Sequence, residues 1–303
     1  MIVKKGSFDN TGKIVTNGVN SLGIYGNNGV ISSGYGNSGN FLARNTMIET
    51  TGVESHAVVL DRKKGIANGD NSSLNFNNQA VIKNNTEGTI GIYANSGATF
   101  NHTWQDFYDP SELGQPSYLV PIATGSLVSK IESGFGAIGI YVEGVSTQGV
   151  VKAPIYVLGS TVNYTGVGVY SDGVGKVTFD SQVLKASGGS TSVTKRAELH
   201  MGTGTIGLYT NNGSNFSDVF IINSLDAYIG NNSVLGYLDN AIASISNLEN
   251  VYVQQLGANS TLIYGANNSE ITIDSNLTIP INGGTVSSSS QAYTAENSIV
   301  TLN

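Results

Sequence analysis

Aliphatic and small polar residues alternate along much of this chain, a two-residue period that places successive side chains on opposite faces of a β-strand. The alternation centres on a recurring tetrad of aliphatic residue, glycine, aliphatic residue and tyrosine. Five copies occur: Leu22-Gly23-Ile24-Tyr25, Ile90-Gly91-Ile92-Tyr93, Ile138-Gly139-Ile140-Tyr141, Val167-Gly168-Val169-Tyr170 and Ile206-Gly207-Leu208-Tyr209. Successive motif tyrosines lie 68, 48, 29 and 39 residues apart. Unequal intervals exclude a strict-period helical repeat and predict stacked coils of unequal length, a solenoid.

Within the tetrad, Ile90 and Ile92 share one face, while Thr89, Gly91 and Tyr93 share the other. In a parallel β-helix the aliphatic face would turn inward. The glycine would then face outward, covered by a neighbouring tyrosine as aromatic rings cover glycines in other sheets. The following turn also repeats, as Tyr93-Ala94-Asn95-Ser96-Gly97 and Tyr209-Thr210-Asn211-Asn212-Gly213. Asparagines at such corners can hydrogen-bond from coil to coil. At roughly 20–25 residues and about 4.8 Å per coil, some 13 coils would span roughly 60 Å. Val193–Met201 reads as a short turn of helix and Asp61–Lys64 as a charged bend.

One stretch differs in kind. Asn101 to Pro121, NHTWQDFYDPSELGQPSYLVP, holds the only tryptophan and three of the five prolines. It reads as a loop insertion (101–121) leaving a single β-helical segment (1–303). The fold class is therefore all-β, a parallel β-helix with one prominent loop insertion.

Composition supports this reading. Charged residues make up 12% of the chain, about half the usual share of roughly 25%, and 39 glycines suit tight turns at positive φ. Five Asn-Gly pairs mark such turns: Asn17-Gly18, Asn28-Gly29, Asn68-Gly69, Asn212-Gly213 and Asn282-Gly283. A net charge of −7 and basic runs no longer than Arg62-Lys63-Lys64 argue against a nucleic-acid partner. With no cysteine, neither disulfides nor thiolate metal sites contribute. The N-terminus lacks an apolar signal core, and no window approaches a membrane-spanning helix. An exported repeat protein needs a signal, so the chain reads as a piece of a longer protein.

The insertion supplies the candidate ligand-binding residues: Trp104, Phe107, Tyr108 and Tyr118 beside Asp106 and Asp109. Rings that stack on sugar faces, with carboxylates accepting hydroxyl protons, suit a glycan; exposed aromatics also anchor protein interfaces. The competing reading packs Trp104 and its neighbours against the solenoid, since a long loop needs a local core. His56, His102 and His200 lie far apart in sequence, and no nucleophile elbow, phosphate loop or zinc signature occurs. Asp106 and Asp109 are the closest carboxylate pair to the 5–9.5 Å spacing of glycoside hydrolases, but they lie on an apparent loop. A polysaccharide-degrading β-helix is thus the alternative to a chain with no catalytic residue, cofactor or metal.

The repeated Gly-Ile-Tyr and its Asn/Gly turn, best seen in Gly88-Thr89-Ile90-Gly91-Ile92-Tyr93-Ala94-Asn95-Ser96-Gly97, resembles the passenger region of large type V (autotransporter) adhesins, most of all the fusobacterial outer-membrane adhesins. The likeness covers roughly residues 10–240 in motif and composition, and composition alone beyond. It implies a right-handed β-helical passenger on the bacterial surface, held in the outer membrane by a C-terminal β-barrel outside this chain. Its expected partners are host-cell or bacterial surface proteins or glycans, as in host adhesion and coaggregation, with the segment itself a monomer. No binding residue is implied, because the shared motif is scaffold. The family's serine-protease branch carries a Gly-Asp-Ser-Gly motif missing here. A non-binding spacer is a further reading, and Gly230-Asn-Asn-Ser-Val-Leu-Gly236 faintly matches the head motif of trimeric autotransporters.

Overall fold

In the computed structural model the chain is nearly all-β, 61% strand and 4% helix. The structure describes all residues except 5–6, 11, 28–29, 35–46, 62–74, 105–106, 109–128, 160–164, 187–191, 274–280, 287–288 and 303. The chain winds repeatedly through three parallel sheets, forming a parallel β-helix. The first face has ten strands, Ile2–Lys4, Leu22–Asn27, His56–Asp61, Ile90–Asn95, Ile138–Val142, Val167–Ser171, Ile206–Asn211, Val234–Asp239, Thr261–Ala266 and Gln291–Ala295. The second face has seven, from Ser7–Asn10 to Phe220–Ile222, and the third has nine, from Lys13–Thr16 to Ile281–Val286. Beyond Phe220–Ile222 the second side continues as a separate sheet of Ile242–Ser244, Glu270–Ile273 and Ile299–Leu302. A short helix, Phe216–Val219, lies at this change, its first turn capped by the Asn215 side chain.

Among the described residues ten rungs form, against the expected 13, and span about 43 Å at about 4.8 Å per rung. Coils are longer than expected because some corners carry extra chain. The longest tyrosine interval has another cause. The strand His56–Asp61 occupies a full coil between Tyr25 and Tyr93, with Val59 in the tyrosine position. Two further tyrosines continue the column, Tyr237 opposite Tyr209 and Tyr264 opposite Tyr237.

The glycine of the tetrad has a different role from the one expected. Gly91 and Ile92 are both buried, while Ile90, Tyr93 and Asn95 are partly exposed. A Cβ on Gly91 would sit 2.5 Å from the Gly139 carbonyl oxygen, one on Gly139 2.6 Å from that of Gly168, and one on Gly168 2.6 Å from that of Gly207. The glycine column is therefore an internal line of close backbone approach, and no tyrosine is needed to cover it. Towards the C-terminal coils the order reverses to Leu235-Gly236, and Phe216 approaches the space left at Gly236.

Ile24, Ile92, Ile140, Val169 and Leu208 from the first face meet Phe76, Phe100 and Phe179 from the second and Ile82, Ile131, Ile155 and Leu199 from the third in one continuous apolar core. Burying each such side chain contributes about 1.5–3 kcal/mol. Corners between the third and first faces reuse one device: residues such as Asn20, Glu54, Asn232 and Asn259 adopt φ of 52–54°, followed by a hydroxyl residue. Those hydroxyls cross-link coils, as where the Ser21 N–H donates to Ser55 Oγ at 2.9 Å and the Thr205 N–H to Ser233 Oγ at 3.1 Å. Asparagine links between coils also form, Asn101 to Asn77 at 2.9 Å and Asn259 to Asn232 at 3.2 Å. The expected helix over Val193–Met201 is absent: Ser192–Lys195 and Ala197–Met201 are strands. The bend at Asp61–Lys64 lies outside the described residues after Asp61, which ends its strand.

Candidate functional site

Extra chain gathers mostly at one edge of the rod, where the second face turns into the third; one further long connection, 62–74, joins the first face to the second. At the second-to-third edge the connection is tight after Asn10, Gln79, Val151 and Ile222, and long over 35–46, 103–129 and 180–196. Tight and long corners alternate over these seven coils. Neighbouring rungs are only about 4.8 Å apart, whereas a packed layer of strands needs about 10 Å. A projecting element therefore fits when the next corner stays flat.

Two of these excursions join. Gln182–Ala186 and Ser192–Lys195 form an antiparallel hairpin, and Phe107–Tyr108 pairs in parallel with Lys185–Ala186. The resulting three-stranded side sheet spans the tight corner between its two parent coils. Trp104 anchors it: the ring is 4% exposed and packs with Ala153 of that corner and with Leu184 and Val193 of the hairpin. Its indole N–H donates to the Arg196 carbonyl at 3.4 Å, Gln182 donates to the Trp104 carbonyl at 3.3 Å, and Lys195 Nζ lies 5.7 Å from the ring centroid.

Of the two sequence readings of Trp104, this geometry matches the one in which the ring packs the insertion against the solenoid. The strand Thr99–His102 belongs to the second face, so the excursion begins after His102 and not at Asn101. Phe107 and Tyr108 lie in the side sheet. Asp106, Asp109 and Tyr118 lie outside the described residues.

Where the excursions rejoin the coil, the outer side of the third face carries a patch of charge and aromatic rings. Alternation within Ala197–Met201 turns Ala197, Leu199 and Met201 into the core and leaves Glu198 and His200 on the outside. Parallel register aligns Tyr156, His200 and Tyr228. Their rings stack with centroids 4.4 Å and 4.2 Å apart and planes within 10°. His200 Nε2 meets Glu198 at 2.9 Å, and Glu198 is only 5% exposed. Lys130 and Lys83 pair with Glu132, and Lys130 lies 5.3 Å from the Tyr156 ring centroid. Arg196 pairs with Asp226 at 3.3 Å and lies over Tyr252 at 3.9 Å, while Gln254 donates to Asp226 at 3.0 Å.

Burial and these partners set the titration of the patch. Burial would raise Glu132, but Lys130 and Lys83 outweigh it and hold the carboxyl below its usual range. Burial raises Asp226 despite Gln254 and Arg196. Burial, with Glu198 and Asp226 nearby, pushes Tyr228 up to about 12, and burial beside Glu198 raises Tyr156. Both ring faces of His200 are covered, so stacking on a ligand is closed to it. Ring edges, phenols, carboxylates and guanidinium remain as donors and acceptors, a composition suited to recognition.

The first face carries a longer column. Tyr93, Tyr141, Tyr170, Tyr209, Tyr237 and Tyr264 lie in ring contact in sequence at centroid separations of 4.6–5.3 Å, stacked from Tyr141 onward and tilted by 43° between Tyr93 and Tyr141. Carboxylates accept from several phenols: Glu143 from Tyr93, Asp239 from Tyr209 at 2.6 Å and Glu296 from Tyr264. Burial is the first cause raising Tyr93, to about 12, followed by Glu143.

The three histidines lie on three different faces. His56 starts a first-face strand, His102 is buried inside the second face and His200 is on the outside of the third. Among the described residues no three His, Cys, Asp or Glu side chains cluster closely enough to hold a metal ion. The third-face stack was hidden in the sequence because its members come from three separate coils with different residue types. The signal that could have found it is the apolar alternation of Ala197-x-Leu199-x-Met201, which fixes Glu198 and His200 outward. No protein family, curated protein or solved structure matches the chain.

Proposed function

We propose that this chain is a segment of a cell-surface adhesin, a stiff β-helical rod that binds through its variable edge and the adjoining third-face patch. One observation carries the reading: coil after coil is built on the same internal plan, while three of the four longest connections between faces, 35–46, 103–129 and 180–196, fall on a single edge and 62–74 alone lies on another. Solenoids place insertions on one face, often the one used for binding. The patch beside that edge combines Tyr156, Tyr228, Tyr252 and Arg196, residue types that dominate protein–protein hot spots. Because the ring faces in the stack are already occupied, a protein surface suits it better than a sugar ring. The resemblance to type V passengers is in keeping with a partner on a host or bacterial cell, and with display outside the outer membrane.

The test is whole-cell binding and a glycan array, using the chain and a variant in which residues 105–128 are replaced by a short Gly/Ser linker. Arg196→Ala combined with Tyr228→Ala forms a second variant. Cell binding that falls in both variants, with a normal β circular dichroism spectrum, supports the reading. Equal binding by all three proteins removes this edge from the interaction. Failure of the parent to bind any cell or glycan favours a spacer.

A further inference from the structure

The six-membered tyrosine stack is more than the fold requires. The same strand position is filled by Val59 in the coil preceding Tyr93 and by Thr294 in the coil following Tyr264. Rungs therefore form with an aliphatic or hydroxyl side chain there, yet six consecutive coils supply a phenol. Three of the five ring contacts have planes within 13° of parallel, Tyr237–Tyr264 is at 21°, Tyr93–Tyr141 is tilted at 43°, and the longest separation is 5.3 Å. Carboxylates sit at phenol oxygens along the column, Glu143 at Tyr93, Asp239 at Tyr209 and Glu296 at Tyr264. Asn211 donates to the Tyr170 oxygen at 2.9 Å.

One-electron oxidation of a phenol is easiest when its proton can leave at the same time to a base already hydrogen-bonded to it. Transfer between aromatic rings in contact is fast because their π-systems overlap. We propose that the column Tyr93–Tyr141–Tyr170–Tyr209–Tyr237–Tyr264 accepts one-electron oxidising equivalents and passes them along the rod. The reacting partner is a diffusing oxygen-centred radical, a one-electron oxidant that takes an electron from a phenol at the rod surface and a proton from solvent, and leaves as the closed-shell O–H compound. The phenolic proton moves to the bonded carboxylate, leaving a neutral tyrosyl radical beside a carboxylic acid. The next phenol then supplies an electron to that radical, the proton returns from the acid to re-form the first O–H, and the donor's own proton goes to its acceptor. Tyr141 passes its proton to Glu143, with which it also hydrogen-bonds, and Tyr170 and Tyr237 release theirs to solvent at their exposed edges. Phenolate formation does not compete, since burial and the acids raise the titration of these tyrosines.

With no cysteine in the chain, T294C can be labelled uniquely with a ruthenium(II) polypyridyl beside Tyr264. Flash excitation with a cobalt(III) quencher generates ruthenium(III), and a nitroso spin trap marks tyrosyl radicals for mapping by mass spectrometry. Adducts at Tyr93 and Tyr141 are expected in the labelled parent. They should disappear in Tyr170→Phe, which keeps a ring in the stack but removes the oxidisable phenol, and fall in Asp239→Asn, which removes the proton acceptor at Tyr209. Tyr293→Phe, off the column, is the matched control. Adducts confined to Tyr264 and Tyr237 in the parent overturn the proposal, as do undiminished Tyr93 adducts in Tyr170→Phe.

Discussion

Acid should loosen the rod at His102 before it titrates most of the carboxylates. The imidazole is fully buried, with Nε2 at 3.1 Å from the Pro154 carbonyl and Nδ1 at 2.9 Å from Asn78 Nδ2. A carbonyl accepts only, so Nε2 carries the hydrogen, and Nδ1 accepts from the Asn78 amide. Adding a proton at Nδ1 would set two donors against each other. Turning the amide would cost the bond from Asn78 to the Ala80 carbonyl at 3.1 Å. Burial, partly offset by the Pro154 and Asn78 bonds, lowers the folded-state pKa from 6.5 to about 4.

The unfolded chain therefore binds this proton first. The stability contributed by neutral His102 is complete above pH 6.5, drains away as pH falls towards 4, and changes little below. At about 1.36 kcal/mol per pH unit, the loss between pH 8 and pH 4.5 is about 2.6 kcal/mol. Paired urea titrations at those pH values, followed by Trp104 fluorescence, measure it in the parent and in His102→Gln. Glutamine keeps an N–H near Pro154 but cannot titrate, and the other histidines and the carboxylates are common to both proteins. The parent should lose about 2.6 kcal/mol more than the variant on acidification. Equal losses in the two proteins would refute the argument.

Gly139→Ala places a Cβ against the Gly168 carbonyl and should cost about 1–3 kcal/mol in denaturant titration, whereas Gly213→Ala, with open space but φ of 70°, should cost about 1–2 kcal/mol from backbone strain alone. Gly149→Ala should be the most damaging, since the new carbon would lie 2.0 Å from Phe100 Cζ; a midpoint like the parent's would show that the ring can move aside. Trp104→Ala should cost about 3–5 kcal/mol locally, seen as new proteolytic cleavage within 182–195 while the distal coils stay protected. The ladder tyrosines, raised by burial and neighbouring acids, favour the folded state below pH 10 and withdraw that support as pH climbs past 10; absorbance at 295 nm should show delayed ionisation until alkaline unfolding.

The rod was legible in the sequence because inward aliphatic residues and corner glycines repeat locally, coil by coil. Coil number was not, because Val59 breaks the tyrosine series and the long corners dilute the repeat. Trp104 stood out as a binding candidate by its rarity, yet its position depends on Ala153, Leu184 and Val193 from two other coils. Glu198 and His200 carry no motif; only the register that aligns His200 with Tyr156 and Tyr228 gives them neighbours. Strict alternation places the tetrad glycine opposite Ile92, whereas Gly91 and Ile92 are both buried.

The side sheet imposes an order of assembly. A β-helix can grow one coil at a time, each new strand docking on the last, so most contacts are made soon after the residues become available. The pairing of Phe107–Tyr108 with Lys185–Ala186 breaks that rule: among the described residues the earlier strand gains its strand partner only when the intervening coil is complete and the following hairpin has emerged. Closing so long a connection is slow relative to adding the next rung. A chain arriving from one end would thus hold an unfinished, open-edged intermediate at this level, and closure of the side sheet would mark the moment at which its middle coils become locked.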